Sequence, residues 1–203
     1  MNSPHQQHRD FLNRYYGVTR SLYDLTRRYY LFGRDPALRR LLEQPWGSLI
    51  EVGPGTGRNL EILHRHRSSA RIGGVEAADA MLTHAARRCP WASLIQGFAE
   101  DAEYLDVLGE APQRILFAYS LSMIQDPATA LTRAVAALAP GGEVHIVDFA
   151  DFAGLPAPLR AGLRAWLRRF HVDPLRPAWL ADRGAELSFG PLRYYMHARL
   201  RAA

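Results

Sequence analysis

One stretch limits the fold more than any other. Leu49-Ile50-Glu51-Val52 is a short, mostly apolar run, Gly53-Pro54-Gly55-Thr56-Gly57 is a turn, and Arg58-Asn59-Leu60 opens a helical pattern. Glycines crowded into one turn let the backbone reverse sharply and approach a ligand, with the N–H groups of the following helix facing an acceptor. A plain turn can also be built this way, so the surrounding residues must decide.

Two of them do. With Gly53 and Gly55 as the first pair, a dinucleotide fingerprint needs its third glycine at position 58, where this chain carries the long side chain of Arg58. A nicotinamide cofactor is therefore disfavoured. Glu76 ends the next apolar run, 76 − 57 = 19 residues past the last glycine. An acidic group at that point accepts from the ribose hydroxyls of an adenosine and repels a 2′-phosphate.

From Trp46 onward, short apolar runs alternate with helical segments: 48–52, 71–76, 93–96, 114–118 and 143–148, with a helix over 128–138 stopped by Pro140-Gly141-Gly142. Such alternation means βαβ units on a parallel sheet. Two late runs, 185–189 and 194–200, are positioned to pair as a hairpin across Gly190-Pro191. The first 45 residues, rich in Tyr, Arg and Leu and broken at Gly33 and Pro36, read as a helical cap of short helices. With 203 residues and 48% hydrophobic content the chain buries the core of one domain, 1–203, divided into a cap (1–45) and an α/β core (46–203).

Cys89 is the sole cysteine, so an internal disulfide and a cysteine-based zinc site are excluded, and a reducing, cytoplasmic compartment is expected. The polar N-terminal residues lack the apolar core of a signal peptide, and no apolar stretch approaches the roughly 18 residues a bilayer span requires. The eight histidines show no metal-ligand spacing, so no metal is expected. All 25 basic residues are arginine, and the formal charge is +5. Coding bias accounts for this, or else bidentate grip on carboxylates and phosphates does.

Glu51-Val52-Gly53-x-Gly55-Thr56-Gly57, Glu76, Gly97-Phe98-Ala99-Glu100-Asp101 and Pro140-Gly141-Gly142 together resemble the class I S-adenosylmethionine-dependent methyltransferases. The resemblance implies a Rossmann-like, mostly parallel sheet of seven strands whose last two form an antiparallel edge. It implies S-adenosylmethionine as cofactor, bound by Glu51, Gly53, Gly55, Thr56, Gly57, Arg58 and Asn59, with the glycine loop holding the methionyl part. By the same resemblance Glu76 takes the ribose, Ala77 and Met81 flank the adenine, and Phe98, Ala99 and Glu100 lie along its edge. Many members carry Asp or Asn where Phe98 stands, so stacking or a backbone N–H replaces that side-chain hydrogen bond.

Residues 23–35 and Tyr119-Ser120-Leu121-Ser122-Met123-Ile124 are similar to the bacterial diacylglycerylhomoserine N-methyltransferases of betaine-lipid synthesis. That similarity implies successive methylation of a homoserine amine, a lipid substrate with an amino-acid head group, peripheral contact with the inner face of the membrane, and no nucleic acid. Under it, Tyr30 and Tyr119 line an aromatic pocket for cationic groups and Arg34 holds a carboxylate. Other acceptors within the fold remain open, among them phosphatidylethanolamine and quinones, as does a cofactor-binding partner without activity of its own. The tyrosines at 15, 16, 23, 29 and 30 are equally an amphipathic surface, and Arg34 equally a solvated partner of Asp35.

Leu155, Leu159, Leu163, Trp166, Leu167 and Phe170 form an apolar stripe beside Arg160, Arg164, Arg168 and Arg169. The stripe is either ordinary packing or a membrane-interface helix.

Glu76→Ala is expected to weaken S-adenosylmethionine by tenfold or more, because each charge-assisted hydrogen bond lost is worth about 1.5–3 kcal/mol. NADH is expected not to bind. Calorimetry with both ligands checks the pair of statements.

Overall fold

The computed structural model describes residues 31–170 and 172–202. Helix α1 (Arg34–Leu42) leads into strand β1 (Ser48–Val52), followed by α2 (Arg58–His66), β2 (Arg71–Glu76), α3 (Asp79–Arg88), β3 (Ser93–Gln96), α4 (Tyr104–Leu108) and β4 (Arg114–Ala118). A 3₁₀ turn (Leu121–Met123) precedes α5 (Pro127–Ala136) and β5 (Glu143–Phe149). Then come α6 (Ala157–Arg168), α7 (Pro177–Ala181), β6 (Glu186–Phe189), a second 3₁₀ turn and β7 (Tyr195–Arg201).

The strands form one seven-stranded sheet in the order β3-β2-β1-β4-β5-β7-β6. Pairings among β1 to β5 are parallel, and β7 runs antiparallel to both β5 and β6. The expected terminal hairpin is therefore present. β1 and β5 are buried along their whole length, as near-continuous apolar runs in the middle of a parallel sheet require. Alternate residues serve opposite faces. Ile50 and Phe117 pack with Leu131 and Ala134 of α5, while Leu49 and Leu116 pack with Leu41 of α1 and Leu63 of α2.

The described part of the expected cap is α1. Gly33 and Pro36 do not break it: Gly33 is its N-cap residue, and Pro36 lies in the first turn, where the missing N–H costs nothing. The rest of the expected cap, with Tyr30 and the other tyrosines of residues 15–30, lies outside the described residues. On its inner face α1 buries Ala37, Leu38 and Leu41, and it is tied to the strand ends by the Gly33 N–H, which donates to the Tyr119 hydroxyl at 3.2 Å.

The apolar stripe of α6 divides. Leu167 is buried and Leu163 half-buried against Phe149 and Phe152, whereas Leu159 is 62% and Trp166 38% exposed. Leu163 and Leu167, one turn apart, share the face that meets Phe149 and Phe152, whereas Leu159, one turn earlier, stays exposed.

Phe117→Ala would open a cavity at a fully buried position in the largest cluster. A loss of about 3–5 kcal/mol of unfolding free energy is expected, read as a lower urea midpoint.

Candidate active site

The strand order reverses between β1 and β4, and in open α/β sheets ligands bind outside the carboxyl ends of the strands at such a point. Register makes the crevice. Val52 lies opposite both Val75 and Phe117, so β1, β2 and β4 end at nearly one level and their loops meet. Gly53 follows β1 with φ +71°, and a Cβ there would sit 2.8 Å from Ser120 Cβ. Only glycine satisfies both the left-handed backbone and the close approach. Ser120 in turn donates its hydroxyl to Val52 O at 2.6 Å, joining the loops after β1 and β4.

One cavity runs from this junction along the ends of β2 and β3. Its walls include Glu76, Ala77, Met81, Phe98, Ala99 and Glu100, together with Gly53 and Gly55. The Glu76 carboxylate accepts from Gly55 N at 2.9 Å and from Ala78 N at 3.0 Å. The two bonds fix the direction of the carboxylate. Ala77, Met81, Phe98 and Met123 make the apolar surface beside it. Glu100 sits at the rim, accepting from Asp126 N at 3.3 Å.

A second cavity shares Gly53, Gly55, Met81 and Ala118 with the first and is lined further by Arg34, Glu51, Thr56, Arg58 and Asn59. Glu51 is buried in the middle of the sheet, where loss of solvent pushes its carboxyl up to about 8 against the pull of the Asn59 hydrogen bond and the Arg34 charge. Asn59 Nδ2 donates to Glu51 Oε1 at 2.7 Å. The other Glu51 oxygen, Oε2, and Asn59 Oδ1 are buried without a hydrogen-bond partner, as is Arg58 Nη1. Buried polar atoms are seldom left so. Two acceptors and one cationic donor in one cavity fit an ammonium and a carboxylate on the same carbon, which is the amino-acid end of S-adenosylmethionine. The residues present therefore fit that cofactor at both ends.

Most of the residues expected from the sequence come together here. Gly57 does not reach either cavity: it is the left-handed N-cap of α2, packed against Ala85 and Cys89. Asp35, a conceivable partner for Arg34, instead pairs with Arg58 Nη2 at 2.9 Å. Tyr119 lines the cleft, but its ring packs edge-on to Phe149 with centroids 4.8 Å apart, and burial pushes its hydroxyl far above the ordinary range.

Sequence reasoning missed the polar support beneath the cleft. The buried Asp148 carboxylate accepts from Ser122 N at 3.0 Å, Ser122 Oγ at 2.7 Å and Phe149 N at 2.8 Å, pinning the 3₁₀ turn that carries Met123. Burial raises it to about 6. Its position at the end of β5 was the available signal, but its partner lies 26 residues away and no local pattern joins them.

Comparison with known proteins agrees with this geometry. The pattern of a methyltransferase-domain family matches residues 23–185. A trans-aconitate 2-methyltransferase of Pseudomonas aeruginosa is 31% identical over 157 residues, covering 74% of this chain and 49% of that protein. Its namesake from Paracidovorax citrulli is 34% identical over 98 residues, 48% of this chain and 37% of its own. The chain thus spans at most about half the length of these curated relatives. An S-adenosylmethionine-dependent methyltransferase of Thermotoga maritima, described as a possible histamine N-methyltransferase, superposes with a TM-score of 0.71 at 17% identity over 95% of this chain and all of that one. An amino pentose methyltransferase of Micromonospora echinaspora, solved with S-adenosylmethionine bound, gives a TM-score of 0.51 at 25% identity over 62% of this chain and 55% of its own.

Because Glu51 sits near 8, it holds a proton at pH 7, and a bound ammonium would expel it. Calorimetry of S-adenosylmethionine binding at pH 7 is expected to show release of up to about one proton, as a heat that changes with the ionisation enthalpy of the buffer. Glu51→Gln is expected to abolish that release and weaken binding. The chain belongs to the methyltransferase-domain family and has the fold of the S-adenosylmethionine-dependent methyltransferases.

Proposed function

We propose that the chain transfers the methyl group of S-adenosylmethionine to a small organic acceptor. The observation that carries this reading is the set of buried, unpartnered polar atoms on Glu51, Asn59 and Arg58, in the cavity adjoining the one that Glu76 lines. Glu76 would take the ribose, Phe98 and Met81 the adenine, and Glu51, Asn59 and Arg58 the amino-acid end, with Arg34 beside them. When bound, the cofactor supplies a methyl group on a cationic sulfur. The chain's own part is to orient the acceptor, exclude water and hold the Met123 wall in place through Ser122 and Asp148.

For the acceptor we place a carboxylic acid first. The curated relatives are named for trans-aconitate, a polycarboxylic acid. A carboxylate arrives ionised and asks no base of the protein. That suits a cleft where the Glu76 carboxylate is occupied by two N–H donors and the Tyr119 hydroxyl by Gly33. The second reading is successive methylation of the homoserine amine of diacylglycerylhomoserine, as the motif around residues 23–35 and 119–124 implies. What favours it is α6: exposed Leu159 and Trp166 stand among Arg160, Arg164, Arg168 and Arg169, a composition suited to an anionic bilayer surface.

Incubation with methyl-labelled S-adenosylmethionine separates them. Label released by mild base after incubation with di- and tricarboxylic acids is the expected result. Label in a trimethylated lipid from membrane extract would favour the second reading. Cofactor binding with no labelled product from either would leave a binding partner without catalysis.

A further inference from the structure

The cleft does not end at its adenosine wall. Met123 and Ile124, which close one side of it, also line a broad open cavity between the 3₁₀ turn, α6 and α7. Arg164 and Arg168 reach this cavity from α6, Arg176 from the N-cap of α7, and Trp179 from α7 itself. Resting on the methyl-transfer reading above, we infer that this cavity is the acceptor subsite and that Arg164, Arg168 and Arg176 hold carboxylates of the acceptor.

The charge balance points this way. Three guanidiniums face the cavity against one carboxylate, Asp173. Arg164 and Arg168 are one helical turn apart, where like charges repel. The ion pairs among the described residues engage other arginines, for example Arg58 with Asp35 and Arg193 with Asp151. Arg164 has a neutral partner, donating to Asp151 O at 3.3 Å. Cations that outnumber the carboxylates around a concavity favour a multiply charged anion, and guanidinium favours carboxylate through paired N–H donors. Arg160 and Arg169 do not line the cavity, so the basic character of this segment is divided between an inward and an outward side.

The location adds a second argument. The wall shared with the cofactor cleft is Met123 and Ile124, beside Ser122, whose N–H and hydroxyl both go to buried Asp148. A fixed apolar divider between a cationic cavity and the cleft lets an acid be gripped by its remote carboxylates while one reactive group passes over Met123. A free polycarboxylic acid and the amino-acid head of a lipid share that carboxylate chemistry.

The test uses the full chain saturated with S-adenosylhomocysteine, which holds the cofactor cleft without turnover. Tricarballylate is titrated calorimetrically, and mixed micelles of diacylglycerylhomoserine are tested in competition. Tricarballylate binding that weakens tenfold or more in R168Q/R176Q, with S-adenosylhomocysteine affinity retained, supports the inference and a soluble acid. Micelles binding with the same loss in the variant support it with a lipid-borne carboxylate as the source. The uncharged trimethyl ester of tricarballylate is expected not to bind. Ester binding as tight as the acid, equal binding by the variant, or no binding of either carboxylate ligand while S-adenosylhomocysteine binds would overturn the subsite. Failure of S-adenosylhomocysteine itself to bind would instead overturn the methyl-transfer reading beneath it.

Discussion

The crevice depends on three parallel strands ending at one level. β1, β2 and β4 share a register that places Val52 beside both Val75 and Phe117. The loops that follow must then occupy the same small space, and they fit because Gly53 has no side chain and Ser120 turns its hydroxyl back onto Val52. Glu76 fastens the third strand end by accepting from Gly55 N–H, so the carboxylate proposed above for the ribose also holds the glycine turn in shape. Ligand recognition and loop architecture therefore use the same atoms.

The two acidic residues of the cleft differ because their surroundings do. Glu76, itself buried, accepts two backbone hydrogen bonds, from Gly55 N–H in the glycine turn and from Ala78 N–H. Glu51 sits within a strand buried on every side, and loss of solvent outweighs Asn59 and Arg34, leaving it near 8. A carboxyl so placed is costly to ionise in isolation and becomes charged when a cation arrives. With the cofactor's ammonium placed there as proposed, that change would be read as a released proton.

The far side of the sheet carries another polar group with no evident place in this chemistry. His145 and His197 lie 3.3 Å apart, with Glu143 and Arg40 against them, and burial lowers the two rings to about 4 and about 3. Both are neutral at physiological pH. They join β5, β7 and α1 across one face, which helps keep Arg34, at the start of α1, over the second cavity. Asp148, three residues past His145, points to the opposite face and supports the cleft instead. The odd spacing along a pleated strand accounts for the division.

The sequence by itself determined the strands, because each element from β1 to β5 is a short apolar run between turn or helix residues, and that pattern depends on near neighbours alone. It determined the cofactor end of the site for the same reason: the glycine turn and Glu76 belong to one βαβ unit. Tertiary structure decided the remainder. That Ser120, Met123 and Ile124 form a wall depends on β4 lying beside β1, a pairing across 65 or so residues that no local periodicity encodes. That Asp148 holds Ser122, that Gly57 caps a helix outside both cavity linings, and that α6 sends Arg164 and Arg168 into a cavity while Leu159 stays exposed are likewise consequences of where helices come to rest on the sheet. Amphipathicity records which side of a helix is apolar; only packing decides what its charged side confronts.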